Sequence, residues 1–163
     1  MEANKETIFT KNTLLVVSQP IINDELINTV IELVKKRKDL KVNYRLHPME
    51  ELSEKQSARL KIVGIEITYS NSDLYLEFLK NEFIFGCYSL SLVEACAFRK
   101  NIYILENEES KRYVPHEIGT WIKTGIDFAE KLSEKSKVTD FERYWASDFD
   151  KNFKKFIESL DIL

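Results

Sequence analysis

The sequence predicts an α/β domain built on a parallel sheet, and two observations carry that prediction. Short, continuous apolar runs recur along the chain, which is typical of strands that are covered on both faces. Segments with apolar residues three and four positions apart separate these runs, as amphipathic helices require. The chain has 163 residues, of which 44% are hydrophobic and only four are Gly and three Pro. That composition fits one globular domain and excludes disordered and collagen-like proteins.

The strand-like and helix-like segments alternate regularly along the chain. The predicted strands are short and apolar: Leu14–Val17, Val42–Leu46, Ile65–Ile67, Phe83–Phe85 and Asn101–Leu105. The helices predicted between and after them are amphipathic: Asn23–Val34, Ser53–Leu60, Ser72–Leu79, Leu92–Phe98 and Ile126–Leu132. Asn23 or Asp24 is expected to cap the first helix, and Ser53 with Gln56 has the spacing of a capping box.

Strand–helix units of this kind, joined by right-handed crossovers, give a single Rossmann-like domain. Its parallel sheet has about five strands with helices on both faces, and residues 13–135 form it. Residues 1–12 form an N-terminal segment, and residues 136–163 form a C-terminal helical extension. The apolar stripe of that extension consists of Phe149, Phe153, Phe156, Ile157 and Leu160. Between Arg112 and Trp121 we expect a loop and a short helix.

Charge and composition exclude several classes of protein. A formal net charge of −3 provides no basic field, so we expect no nucleic-acid partner. No apolar run approaches the roughly 20 residues of a transmembrane segment, and the first residues lack the apolar segment of a signal peptide. Cys87 and Cys96 do not have metal-ligand spacing, and the two histidines are distant in sequence. We therefore expect no metal, no cofactor and a cytoplasmic location.

A ligand site is expected where the strands end, because open parallel sheets bind ligands at the carboxyl edge near the switch in strand order. The turns at that edge are Ser18–Pro20, His47–Pro48, Tyr69–Ser72, Gly86–Ser91 and the residues from Glu106 onward. The sequence has no G-x-G-x-x-G after the first strand, no P-loop and no G-x-S-x-G. It therefore lacks the standard dinucleotide, nucleoside-triphosphate and serine-hydrolase motifs.

The turn after the fourth predicted strand is the most informative. Gly86 lets the backbone turn closely, and Ser89 and Ser91 place hydroxyl groups beside free backbone N–H groups at a helix start, which suits an anionic phosphate. Glu94, one turn further on, is positioned to accept hydrogen bonds from ribose hydroxyls. Ser91 and Glu94 also have capping-box spacing, and in that alternative both side chains serve only the helix backbone.

Two histidines give further candidates. Pro48 favours an extended conformation at His47, which directs the imidazole toward the carboxyl edge, and Arg45 shares its strand face. A cation and an imidazole there can bind a diphosphate or a base; the alternative is a histidine that hydrogen-bonds a neighbouring loop. His116 follows the fifth predicted strand, where a loop can close over a nucleotide. Its alternative is a simple helix start with Glu117 in the first turn.

Together these turns resemble a known family. Tyr44–Pro48 (YRLHP) and, some forty residues later, Gly86–Ala95 (GCYSLSLVEA) resemble the C-terminal half of GT-B glycosyltransferases that make bacterial capsule and lipooligosaccharide. The sialyltransferase and polysialyltransferase groups belong to these relatives, and the polyglycerol-phosphate polymerases of teichoic acid synthesis are more distant. The resemblance covers residues 13–130 in element order.

The resemblance implies a role for each matching residue. His47 contacts the phosphate or leaving group of a nucleotide-activated sugar and is the catalytic candidate. Ser89 and Ser91 bind donor phosphate, and Glu94 faces the ribose or the sugar. A CMP- or CDP-activated donor is favoured over a UDP-activated one. Such an enzyme has two Rossmann-like domains, so the resemblance also implies an N-terminal acceptor domain or a partner chain, without which this chain binds nucleotide but does not catalyse transfer.

Two other classes of function compete with this interpretation. The aromatic C-terminal stripe favours a non-catalytic α/β module for protein–protein interaction, which predicts a stable oligomer and no response to nucleotides. A small stand-alone hydrolase or phosphatase is the third hypothesis. The sequence offers no recognisable nucleophile motif for it.

Overall fold

The computed structural model describes residues 10–69, 71–98 and 101–134. The strands are β1 (Thr10–Val17), β2 (Lys41–Arg45), β3 (Glu66–Thr68), β4 (Asn81–Gly86), β5 (Asn101–Leu105) and β6 (Thr120–Ile122). The α-helices are α1 (Asn23–Lys36), α2 (Glu54–Ile62), α3 (Leu74–Lys80), α4 (Leu90–Cys96), α5 (Glu108–Tyr113) and α6 (Gly125–Lys131). Two 3₁₀ turns, Pro20–Ile22 and His116–Ile118, precede α1 and β6.

The six strands form one sheet in the order β3-β2-β1-β4-β5-β6, and every neighbouring pair is parallel. The chain first builds outward from β1 to β3 and then returns to the other side of β1 with β4. The order therefore switches between β1 and β4, which is where a Rossmann-like sheet opens a crevice at its carboxyl edge.

Both faces of the sheet are covered, as the continuous apolar strands predict. Leu14 and Val16 of β1 pack into a core with Leu26 and Val30 of α1. Leu15, on the opposite face of the same strand, belongs to a second core with residues of α3 and α4. Because successive strand residues point to opposite faces, an uninterrupted apolar run is buried only if helices lie on both sides.

The structure confirms a Rossmann-like α/β domain and corrects some of its details. β5 has the predicted bounds, and both hydrogen bonds of the Ser53–Gln56 capping box are present at α2. β1 begins at Thr10, before the predicted start of the first strand at Leu14. The sheet also has a sixth strand, β6, in the stretch predicted as a loop and a short helix. Thr120–Ile122 lacks the alternation of apolar residues that Ile65 and Ile67 provide at the equally short β3.

The predicted cap of the first helix is wrong. Residue Ile22 occupies the N-cap position of α1 and makes no side-chain cap bond. The amide of Asn23 accepts a hydrogen bond from the Tyr44 hydroxyl of β2 instead, at 2.5 Å. The preceding 3₁₀ turn leads directly into the helix, so the helix start does not depend on a capping side chain. The predicted C-terminal helical extension, 136–163, lies outside the described residues.

Candidate functional site

A cleft of about 390 Å³ opens at the carboxyl edge of the sheet, at the switch between β1 and β4. Three turns line it, namely those that follow β1, β2 and β4. Close approach of two of them depends on Gly86, where a Cβ atom would lie 2.7 Å from Val17 Cγ2 and 3.2 Å from Val17 O. The backbone N–H of Tyr88 donates to Gln19 Oε1 at 3.0 Å, which joins the turn after β4 to the turn after β1.

The turn after β2 brings His47 to this cleft, where its side chain is exposed. The backbone N–H of Met49 donates to His47 Nδ1 at 3.2 Å. A nitrogen that accepts a hydrogen bond carries no proton, so the neutral ring holds its proton on Nε2. His47 can therefore donate from Nε2 to an anionic oxygen.

Arg45 lines the same cleft at the end of β2, but its guanidinium is tied to the turn after β3. It donates to Ser72 Oγ, and its Nη2 donates to the Ser72 carbonyl oxygen at 2.8 Å. These bonds fix the position of the cation at the rim of the cleft. Arg45 therefore supplies a fixed positive charge beside His47.

The turn after β4 places Ser89 and Ser91 in the cleft. Ser89 is the N-cap of α4, and its Oγ accepts a hydrogen bond from the Ser91 backbone N–H at 3.3 Å. Ser91 lies inside the helix, so the alternative in which Ser91 and Glu94 form a capping box is wrong. The cap uses one acceptor site of the Ser89 hydroxyl, whose proton is free to serve a ligand.

Two predicted site residues lie elsewhere. Glu94 is partly buried in α4 and is not among the described residues that line the cleft. His116 precedes the parallel strand β6, so it lies at the amino edge of the sheet, opposite the cleft. Its ring stacks on Trp121 with 5.3 Å between ring centroids. Glu117 is in the first turn of the 3₁₀ helix there, as the simple helix-start alternative predicts.

Two polar residues of this edge were not predicted as site residues. Ser18 lines the cleft and is buried, and its backbone N–H donates to the Arg45 carbonyl oxygen at 3.0 Å. Glu50, after His47, is only 8% exposed. The sequence signal for Ser18 was its place directly after the first strand. Glu50 carried no signal, because a glutamate in a loop is ordinarily exposed.

No metal site is evident in the described ranges, since they contain no group of three or more His, Cys, Asp and Glu side chains arranged to hold a metal ion. Both cysteines are buried and unpaired. Burial raises the pKa of Cys87 and of Cys96 to about 11. Thiols with such pKa values stay protonated at neutral pH, which argues against a nucleophilic role.

Comparison with known proteins identifies the fold. No family model and no curated protein matches the chain. Among solved structures, TarM has a TM-score of 0.59 at 15% identity and matches over 93% of this chain and 33% of its own. The wall teichoic acid polymerase TagF with CDPG has a TM-score of 0.54 at 12% identity, over 90% of this chain and 37% of its own.

A putative UDP-N-acetylglucosamine 2-epimerase from Listeria monocytogenes is also similar, with a TM-score of 0.53 at 14% identity, over 88% of this chain and 46% of its own. The chain thus spans less than half the length of each of these proteins. At such low identity the likeness shows the fold alone, a Rossmann-like α/β domain that each of these three structures also contains. Within the described residues, no helix is long and apolar enough to cross a membrane.

Proposed function

We propose that this chain is the donor-binding domain of a bacterial glycosyltransferase that makes surface polysaccharide, capsule or lipooligosaccharide, and that it binds a nucleotide-activated sugar. One observation carries the proposal: the cleft at the strand-order switch brings Arg45 and His47, at the end of β2, together with Ser89 and Ser91, at the start of α4. These residues are the ones that the family resemblance assigned to donor phosphate, with the addition of a fixed cation.

Each residue has a defined part in such a site. His47 donates from Nε2 to the phosphate of the leaving nucleotide, and the Ser89 and Ser91 hydroxyls donate to neighbouring phosphate oxygens. The Arg45 guanidinium, held by Ser72, adds positive charge at the rim. Donors that are already in place stabilise charge as it develops on the leaving phosphate, without reorganisation during the reaction. His47 is accordingly the proposed catalytic residue.

The donor base and the rest of the enzyme are further parts of the proposal. A CMP- or CDP-activated donor is favoured over a UDP-activated one, which accords with CDPG in the TagF structure. The three structural neighbours are more than twice as long as the matched region. We infer that a second domain or a partner chain supplies the acceptor site, that this chain alone does not catalyse transfer, and that it acts in the cytoplasm.

The test is thermal unfolding of the full chain with CMP, CDP, UDP, GDP and ADP. A nucleotide at 100 times its dissociation constant stabilises the folded state by about 2.7 kcal/mol. We expect a cytidine nucleotide to raise the melting temperature most, and His47→Ala and Ser89→Ala to abolish the rise. His116→Ala is the matched control, since it removes the other imidazole from the opposite edge of the sheet and should keep the rise.

The second candidate is a non-catalytic interaction module. It is favoured by large apolar side chains that are exposed around the cleft, with Ile21 87%, Met49 85% and Leu90 71% exposed. This candidate predicts that no nucleotide changes the melting temperature and that the chain forms a stable oligomer in light scattering. If the oligomer forms through the aromatic C-terminal stripe of the sequence, removal of residues 149–163 restores the monomer. A nucleotide-specific rise that requires His47 contradicts it.

A further inference from the structure

We propose that Glu50 is the positioning residue of His47: its buried carboxylate holds the turn that aims the imidazole into the cleft. The proposal rests on the proposed function in one respect only, namely that His47 is the group that meets the ligand. Glu50 itself is not among the described residues that line the cleft, and it faces the neighbouring groove on the far side of Pro48. It therefore acts through His47, without a contact to the ligand.

Glu50 closes the turn that contains His47 through two hydrogen bonds to the His47 backbone. Glu50 Oε2 accepts a hydrogen bond from the His47 backbone N–H at 2.9 Å. The Glu50 backbone N–H in turn donates to the His47 carbonyl oxygen, also at 2.9 Å. Both main-chain groups of His47 are thus bound to one residue. With Met49 N–H on Nδ1, the backbone and the ring of His47 are fixed together.

The second carboxylate oxygen anchors this turn to the core. Ser18 Oγ donates to Glu50 Oε1 at 2.8 Å and lies 2.9 Å from the Tyr44 hydroxyl. That hydroxyl donates to Asn23 Oδ1, so the polar chain runs through the end of β1, β2 and the start of α1. Burial raises the pKa of Tyr44, which keeps its hydroxyl protonated and able to donate.

Because Glu50 is buried, its carboxylate depends on the hydrogen bonds that it accepts. A carboxylate removed from water is costly unless donors satisfy both oxygens, and here each oxygen has one. An exposed Asn or Ser side chain is sufficient to close such a turn, because it hydrogen-bonds the nearby backbone. A buried carboxylate instead binds the His47 turn to the strand ends, which makes the imidazole position depend on the β1–β2 register.

The test is long-range ¹H–¹⁵N NMR of the two histidine rings in the full chain, without nucleotide and well above the ordinary histidine pKa of about 6.5. Glu50→Ala is expected to shift the His47 ring nitrogens toward the averaged values of a freely exchanging imidazole and to leave those of His116 unchanged. Glu51→Ala, at the exposed neighbour, is the matched control. Glu50→Gln should restore the wild-type His47 signals, because its amide oxygen accepts from His47 N–H while its NH₂ group donates to Ser18 Oγ.

Nucleotide affinity gives the second readout. We expect CDP to bind about tenfold more weakly to Glu50→Ala and near the wild-type level to Glu50→Gln, since a hydrogen bond to a charged group accounts for an effect of that size. If Glu50→Ala does not fold, Ser18→Ala removes the Oε1 partner and should move the same His47 signals. Unchanged His47 signals in a folded Glu50→Ala or Ser18→Ala protein overturn the proposal. Failure of the wild-type chain to bind any nucleotide overturns the proposed function instead and leaves the NMR result to stand alone.

Discussion

The two histidines of this chain have similar sequence surroundings and entirely different positions. Each is next to a proline, and each follows a predicted strand. His47 comes two residues after the end of β2 and is exposed in the cleft, whereas His116 comes before β6 and stacks on Trp121. In a parallel sheet, a residue after a strand lies at the carboxyl edge and a residue before a strand lies at the amino edge. Position before or after a strand, more than residue type, therefore separates the candidate site from a structural contact.

Gly119→Ala should destabilise the region around His116 more than any other substitution considered and leave the cleft unchanged. Gly119→Ala would place a Cβ atom 2.5 Å from the Ile102 carbonyl oxygen of β5. Backbone cannot yield as a side chain can, so we expect the free energy of unfolding to fall by about 3 kcal/mol. Urea denaturation measures that loss, and isothermal titration should give an unchanged CDP dissociation constant for the folded protein.

Gly64→Ala is the comparison variant for that experiment. Gly64 has a φ of 78° and no atom within 4 Å of an added Cβ, so only the left-handed backbone conformation opposes the substitution, at a cost of about 1 kcal/mol. A weaker CDP affinity in Gly119→Ala would show that the two edges of the sheet are coupled, contrary to the comparison.

Tyr44→Phe tests the cleft side of the sheet, and it should lower stability less than Gly119→Ala does. The substitution keeps the buried ring and removes the hydroxyl that donates to Asn23 Oδ1 and lies beside Ser18 Oγ. We expect a loss of about 1–2 kcal/mol in the free energy of unfolding, because a buried acceptor is left without its donor. Chemical denaturation measures it, and Tyr113→Phe, at an exposed tyrosine, should change nothing. Equal stability of Tyr44→Phe and wild type would contradict the role assigned to the polar chain.

Trp121→Phe tests the assignment of His116 as a structural contact, and it should change stability only slightly. Trp121 Nε1 donates to the His116 carbonyl oxygen at 2.8 Å, and Trp121→Phe removes that bond while keeping an aromatic ring against the imidazole. One exposed hydrogen bond contributes about 0.5–1 kcal/mol, so thermal unfolding should show a small decrease in melting temperature. The rise produced by CDP should persist. Its disappearance would place His116 in the ligand site after all.

Much of the fold was predictable because it depends on local patterns. Continuous apolar runs marked the strands, and β5 was predicted with its observed bounds. The Ser53–Gln56 capping box is also local, since both of its hydrogen bonds join residues three apart in sequence. The equally short β3 was indicated by Ile65 and Ile67, two positions apart, whereas β6 was missed because Thr120–Ile122 has no such apolar alternation. That omission placed His116 on the wrong side of a strand.

In the candidate site, too, the local features were predictable and the contacts between distant residues were not. That Arg45, His47, Ser89 and Ser91 lie at or after strand ends could be predicted from the sequence, because strand endings are local features. Which turns meet at the switch between β1 and β4 depends on the folded arrangement of the strands. That arrangement also determines that Glu50 is buried, since its partner Ser18 is 32 residues away in sequence. Burial and hydrogen bonding between distant residues depend on the order in which strands pair, and no local pattern encodes that order.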